Sequence, residues 1–190
     1  MHKLITYFQH VSHGKTVLLL LIITNLIYAL MLMYSLPLVS SYAPELVLFD
    51  MSPMGYSYNQ ALELLTSLGI DGRNSYLFVQ LPLDFIYPGM FSVSYALLII
   101  WMLKQYLPKD SKLFSIAFIP FLAGGFDYLE NISIFTMLER FPNISENLVS
   151  SASAFTIAKS GATTLFFVLL ILAFIPIFKR RLGFGHSSKK

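Results

Sequence analysis

Four stretches of this 190-residue chain are apolar for long enough to cross a lipid bilayer, and that constrains its fold more than any motif does. A span needs roughly 20 apolar residues, at about 1.5 Å rise each, to traverse a hydrocarbon core about 30 Å thick. The candidates run from Thr16 to Val39, Leu83 to Leu103, Leu113 to Leu138 and Ser153 to Phe178. Each is expected to be a helix, because an open strand edge leaves backbone groups with nothing to bond in lipid. The expected fold class is therefore all-α: a polytopic, four-helix transmembrane bundle, with residues 1–190 as a single membrane domain. The composition agrees, at 56% hydrophobic and 12% charged residues with a mean hydropathy of +0.67. Such values argue against a nucleic-acid binder, a disordered tail or a disulfide-stapled secreted domain.

The basic residues report orientation. Lys3, Lys15, Lys104, Lys109, Lys112, Lys179, Arg180, Arg181, Lys189 and Lys190 flank one side of the spans, against Arg73 and Arg140 on the other. By the positive-inside rule both termini are expected in the cytoplasm, with the protein in the cell membrane, the inner one if the source is bacterial. The first apolar run, followed by Ser41 and Ala43, imitates a signal peptide with its cleavage site. It is longer than the roughly 7–15 apolar residues of such a signal, and Thr24, Asn25 and Tyr28 read as bundle-facing, so it is expected to remain as the first span. Trp101 and Tyr106 read as an interfacial anchor.

Several chemistries are closed. The chain has no cysteine, so disulfides, thiolate metal sites and dithiol redox steps are excluded. His2, His10, His13 and His186 lie in the polar termini, where they cannot assemble an intramembrane histidine box. No metal and no cofactor is expected.

Residues 40–81 are too long for a bare connection and read as an external cap. Ser57 with Gln60 forms a capping box, Ala61, Leu62, Leu64, Leu65 and Leu68 an apolar stripe, and Gly69 a stop signal, which together predict one short amphipathic helix. Asp71-Gly72 then reads as the turn that sends the chain back to the membrane.

The informative residues are charges in the wrong solvent: Asp84 in the second span, Asp127 and Glu130 in the third, Lys159 in the fourth. Counted from the external span ends, Asp84 should lie about 5 Å in, Lys159 about 9 Å, Glu130 about 12 Å and Asp127 about 16 Å. Asp127, Glu130, Asn131 and Ile134 share one helical face, as do Phe155, Thr156, Lys159 and Thr163. Ala154, Ala158 and Ala162 read as a small-residue ridge for a neighbouring helix, and Gly124-Gly125 either loosens the third span or lets another backbone in. An unpaired charge at such depth costs about 2.5–3.5 kcal/mol, so pairing or neutralisation is expected. Three carboxylates face one lysine, which leaves a surplus acid to be protonated, to bind a cation, or to be reached by Arg73 or Arg140.

The strings Gly72-Arg73 with Tyr76, Asp84 with Tyr87-Pro88, and Asp127-Tyr128-Leu129-Glu130-Asn131 resemble those of a group of uncharacterised small bacterial four-helix membrane proteins, a likeness that brings no activity with it. In layout alone, four helices with a long first external loop and intramembrane acids, the chain also resembles the sterol-isomerase and sigma-2-receptor family. That resemblance implies an apolar ligand.

These readings converge on an outer-leaflet polar cavity that binds a lipid or isoprenoid-like molecule, or processes it by acid/base chemistry. Asp127 and Glu130 are the expected working acids, and Lys159 holds one of them ionised. Asp84 is expected to pair with Lys159 or Arg73, while Tyr87, Tyr128, Asn131 and Thr156 line or orient the ligand. The expected partners are membrane lipids and an apolar small molecule, with no nucleic acid. Three alternatives compete: a proton- or ion-coupled carrier working as a homo-oligomer, an accessory or assembly protein without a ligand, and charges that merely glue helices together.

Overall fold

The computed structural model describes residues 2–181, which are helical with short connections and contain no strand. A short helix α1 (His2–Val11) precedes four helices long and apolar enough to cross a membrane: α2 (Gly14–Ser40), α4 (Gly69–Leu103), α5 (Lys112–Arg140) and α6 (Glu146–Arg181). The cap helix α3 (Tyr58–Ser67) and a single 3-10 turn at Phe49–Met51 occupy the connection between α2 and α4.

The helix α3 forms as its sequence predicts. Ser57 Oγ accepts from the Gln60 N–H at 3.3 Å and Gln60 Oε1 accepts from the Ser57 N–H at 2.8 Å, which satisfies two orphan amides at the helix start. Ala61, Leu64, Leu65 and Leu68 are buried, Leu62 partly so. Gly69 adopts φ +60°, the left-handed conformation that ends the helix.

Beyond Gly69 the expectation fails. Asp71 and Gly72 are not a turn but lie inside a helical segment, Gly69–Ser75, that continues into the second long helix. The cap therefore ends at Leu68 rather than residue 81. Gly72 serves packing: a Cβ there would lie 2.8 Å from the Cβ of Tyr42, so its smallness lets α4 lie against the end of α2. Helix α6 likewise begins before the Ser153 expected, at Glu146. The N-terminal α1, which hydropathy does not single out, packs Ile5 and Phe8 onto the base of the bundle.

Helices α2 and α4 each contain one wider, π-type turn, at Met31–Ser35 and Tyr76–Gln80, and each is followed by Leu-Pro-Leu. The cause is local: Pro37 and Pro82 have no N–H to continue the i to i−4 ladder, so the preceding turn widens. The two irregular turns face each other, and Ser35 Oγ donates to Gln80 Oε1 at 2.5 Å with both residues fully buried.

Packing runs α2 on α4, α4 on α5 and α5 on α6, with a lesser α4–α6 contact, so α4 is the central and most buried helix. Two hydrophobic cores result. One, near the cap, gathers Val39, Phe49, Leu65, Tyr76, Ile134 and Val149; the other, near the chain termini, gathers Phe91, Ile99, Ile100, Phe114 and Phe166. Asn25 is exposed rather than bundle-facing; its amide donates to Leu21 O, whereas Thr24 is buried and bonds Ser94 at 2.7 Å. Ala154 is exposed as well, whereas Ala158 and Ala162 are partly buried and Ala162 packs on the second core, so the expected alanine ridge holds only in part. Val149, Ala152, Thr156, Phe166 and Ala173 are the buried residues of α6. Trp101 packs its indole against Gly14 at the α1–α2 junction. Lys3, Lys15, Lys104, Lys109, Lys112 and Lys179 all fall at the terminal end of the bundle. Lys189, Lys190 and His186, with the side chains of His2, Arg180 and Arg181, lie outside the described residues.

Candidate functional site: a carboxylate-lined cavity between two cores

Between the two hydrophobic cores lies a polar layer, and its centre is an ion triad. Lys159 on α6 donates to Asp127 Oδ1 at 3.2 Å and pairs with Glu130 Oε2, both on α5. Glu130 is fully buried, and its second oxygen accepts from Thr156 Oγ1 at 2.7 Å. The i, i+3 spacing on each helix brings this about: Asp127 and Glu130 share one face of α5, Thr156 and Lys159 one face of α6. One ammonium thus bridges two carboxylates, the arrangement that makes a buried charge tolerable.

Asp84 approaches from α4 and makes no ion pair. The residue is 3% exposed, its Oδ2 meets no donor from another side chain, and its carboxyl group lies against that of Asp50. The Asp84 backbone explains the neighbouring asparagine. Pro88, four residues on, has no N–H to give to Asp84 O, and Asn131 Nδ2 fills that position at 2.8 Å. Asn131 is therefore a backbone strut between α4 and α5, not a side chain that orients a ligand. Gly124 supports the same contact. A Cβ there would fall 2.9 Å from Pro88 O and closer still to Ser92 Oγ, so the second possibility for Gly124-Gly125, close approach of another backbone, is the one realised.

A cavity of about 330 Å³ opens beside this layer. Its lining includes the ionisable Asp50, Asp84, Asp127 and Lys159, the hydroxyl residues Ser160, Thr163 and Thr164 of α6, and the largely apolar Tyr28, Met31, Leu32, Leu36 and Phe91. Tyr87 lines it and stacks on Tyr28 with ring centroids 5.2 Å apart. Helices α2, α4, α5 and α6 and the loop residues Asp50, Met51 and Pro53 all contribute to the lining.

Asp50 is the residue that sequence reasoning missed. The cap delivers it: Phe49, 1% exposed, wedges against Tyr56 and Tyr76 at 4.7 and 6.1 Å between centroids. The loop is then stitched to α6, where the Tyr56 N–H donates to Ser153 Oγ at 2.9 Å. Gly55, at φ +82°, admits that approach because a Cβ would crowd Ile157 Cδ1 at 2.9 Å. The hydroxyl of Tyr76 donates to Asp50 Oδ2. Tyr56, in the cap, has its pKa pushed up by burial and, next, by the negative charge of Glu130, so its hydroxyl stays a neutral donor. The signal in the sequence was a lone acid within the apolar run Leu46-Val47-Leu48-Phe49-Asp50-Met51.

Of the residues singled out, the structure brings Asp84, Tyr87, Asp127 and Lys159 to the cavity wall, with Glu130 and Thr156 directly behind. Two others lie elsewhere. Arg73 donates to Leu65 O at 2.7 Å and sits over the Phe141 ring at 4.5 Å, holding the cap to the bundle, so it reaches no carboxylate of the cluster. Tyr128 lies on the outer face of α5, 36% exposed, with its hydroxyl over Gly89. Arg140 is exposed at the end of α5. Among the described residues no group of acids or histidines has the geometry to hold a metal ion.

The depths also change. Because α4 and α6 begin earlier than hydropathy suggests, Asp84 lies about 22 Å from its helix start, and Lys159 and Asp127 each about 20 Å from the cap-side ends of theirs. The charges stand at one level. Measured from the opposite ends, at Leu103, Lys112 and Lys179, that level lies about 26–30 Å away, close to a full hydrocarbon thickness.

Comparison with known proteins adds no relative: no family model, no curated protein and no solved structure matches the chain.

Proposed function

We propose that the protein is a multi-pass membrane protein that holds a lipid or isoprenoid-like amphiphile in this cavity, at the outer edge of the bilayer, with both termini in the cytoplasm of the cell membrane. The observation that carries the reading is the cavity itself, whose lining combines three carboxylates and a paired lysine with Tyr28, Met31, Leu32 and Phe91. A lining that combines charged and apolar side chains suits a molecule with a polar head and an apolar chain. The level of the cluster supports it too. If Lys104, Lys112 and Lys179 mark the cytoplasmic interface, the carboxylates fall where the opposite head groups begin. Any acid/base step belongs to Asp127, which faces the cavity. Glu130 stands behind it, engaged by Thr156 and Lys159, and sets the position of the ammonium.

The rival reading, a proton-coupled carrier, requires polar steps toward the cytoplasmic end. Ser92 lies 2.7 Å from Pro88 O and 2.9 Å from Pro120 O, and the Thr24–Ser94 pair follows. Past that pair Ile99, Ile100, Leu103, Phe114 and Phe166 close the path with apolar side chains, which favours a binding site over a conduit.

Mass spectrometry of small molecules retained by the gently purified protein tests the proposal. The wild type should carry a defined amphiphile that Asp127→Asn loses while still migrating as a folded species. Identical, nonspecific lipid profiles in both would refute it and favour the reading in which the charges only join helices.

A further inference from the structure

The lining of the cavity carries more acidic than basic side chains. Asp50, Asp84 and Asp127 all belong to it, and Lys159 is its one basic residue among the described side chains. That ammonium is already shared between Asp127 and Glu130. Asp84, nine-tenths buried and more, and Asp50 each keep one buried oxygen without a donor, Oδ2 and Oδ1, and their two carboxyl groups lie against each other. A phosphate or carboxylate placed here would add another negative charge to a lining that already has a surplus of them, in surroundings of low dielectric. A positively charged group with several N–H bonds would offset that surplus and donate to the carboxyl groups that line the cavity. The apolar side chains then set the rest of the ligand. Leu32, Leu36 and Met51 belong both to the cavity and to an adjoining apolar groove of about 440 Å³ that Pro37, Leu46 and Val47 complete.

We propose that the cavity selects a single-chain amphiphile with a protonated amine head, the head between Asp50, Asp84 and Asp127 and the chain along Leu32, Leu36 and Met51. The proposal rests on the reading of the cavity as an amphiphile site and names the head group that site takes.

Three probes of one chain length separate the two claims: hexadecylamine, hexadecanol and hexadecyl phosphate. Each is offered at equal concentration to the full-length protein in a nonionic detergent, and the bound fraction is read by native mass spectrometry. The amine should be retained at least tenfold over the alcohol and the phosphate, and Asp84→Asn should lower amine retention at least tenfold while leaving the phosphate unchanged. Retention of the phosphate or the alcohol as strongly as the amine overturns the head-group assignment and leaves the amphiphile reading standing. Amine retention that Asp84→Asn does not alter overturns the placement of the head. Retention of none of the three by folded wild-type protein overturns both claims. Should Asp84→Asn not fold, the ranking of the three probes on the wild type decides the head group by itself.

Discussion

Pro88 and Asn131 work as two halves of one device. The proline breaks the ladder of α4 beside Asp84, and the asparagine of α5 supplies the missing donor. Asn131→Ala should therefore cost about 1–3 kcal/mol, the penalty of an orphaned buried carbonyl. With Pro88→Ala in the same chain the backbone donor returns, and the cost of Asn131→Ala should shrink to a fraction; a double-mutant cycle by chemical denaturation in detergent measures this coupling. Lys159 presents the opposite case, a residue whose loss cannot be repaired locally. Lys159→Met leaves Asp127 and Glu130 facing each other without a cation and should cost about 3–5 kcal/mol. Adding Asp127→Asn and Glu130→Gln should recover most of that loss, because the stranded charges are then gone. If the triple variant is as unstable as Lys159→Met, the triad is not what the lysine stabilises.

At the level of elements, small residues decide how closely the helices approach. Gly124 and Gly125 are adjacent, yet only Gly124 faces α4; a Cβ on Gly125 meets nothing within 4 Å. Gly124→Ala should therefore lower stability by about 1–3 kcal/mol through overpacking against Pro88 and Ser92. Gly125→Ala should leave it unchanged or slightly raised, since alanine favours a helix. Melting temperatures of the two variants in one detergent make the comparison. The cap obeys the same logic at larger scale. Phe49, Gly55 and Tyr56 clamp the loop to Tyr76 and α6, so Asp50 reaches the cavity only as part of a folded cap.

The whole molecule is a stack: a lysine-flanked base, an apolar core, a layer of ionisable groups, a second apolar core and the cap. Its orientation is directly testable because the chain has no native cysteine to interfere. Glu63, on the exposed side of α3, and Asp110, in the connection between α4 and α5, lie at opposite ends. A membrane-impermeant maleimide should label Glu63→Cys in intact cells and Asp110→Cys only after permeabilisation. The reverse pattern would invert the topology and place the cavity at the inner leaflet.

The amino-acid sequence by itself determined the all-helical class, the four long apolar helices and the capped α3, since each follows from periodicity and short-range backbone bonding within one segment. It also marked Asp84, Asp127, Glu130 and Lys159, because an ionisable residue in an apolar run stands out wherever the helices go. The α5–α6 triad was legible for the same reason, as both partners use i, i+3 spacing. Only the tertiary structure decided the rest. Asp71-Gly72 continues a helix, and Gly72 lies against Tyr42, a contact between segments far apart in the chain that no local rule reveals. Arg73 and Tyr128 are the right types in the right strings, yet the rotation of their helices points one at Phe141 and the other outward. Asp50 joins the site through a loop whose course no local rule fixes, held by Phe49, Gly55 and Tyr76. A helix's faces are written in its own residues, but which face meets which neighbour is set by packing across the whole chain.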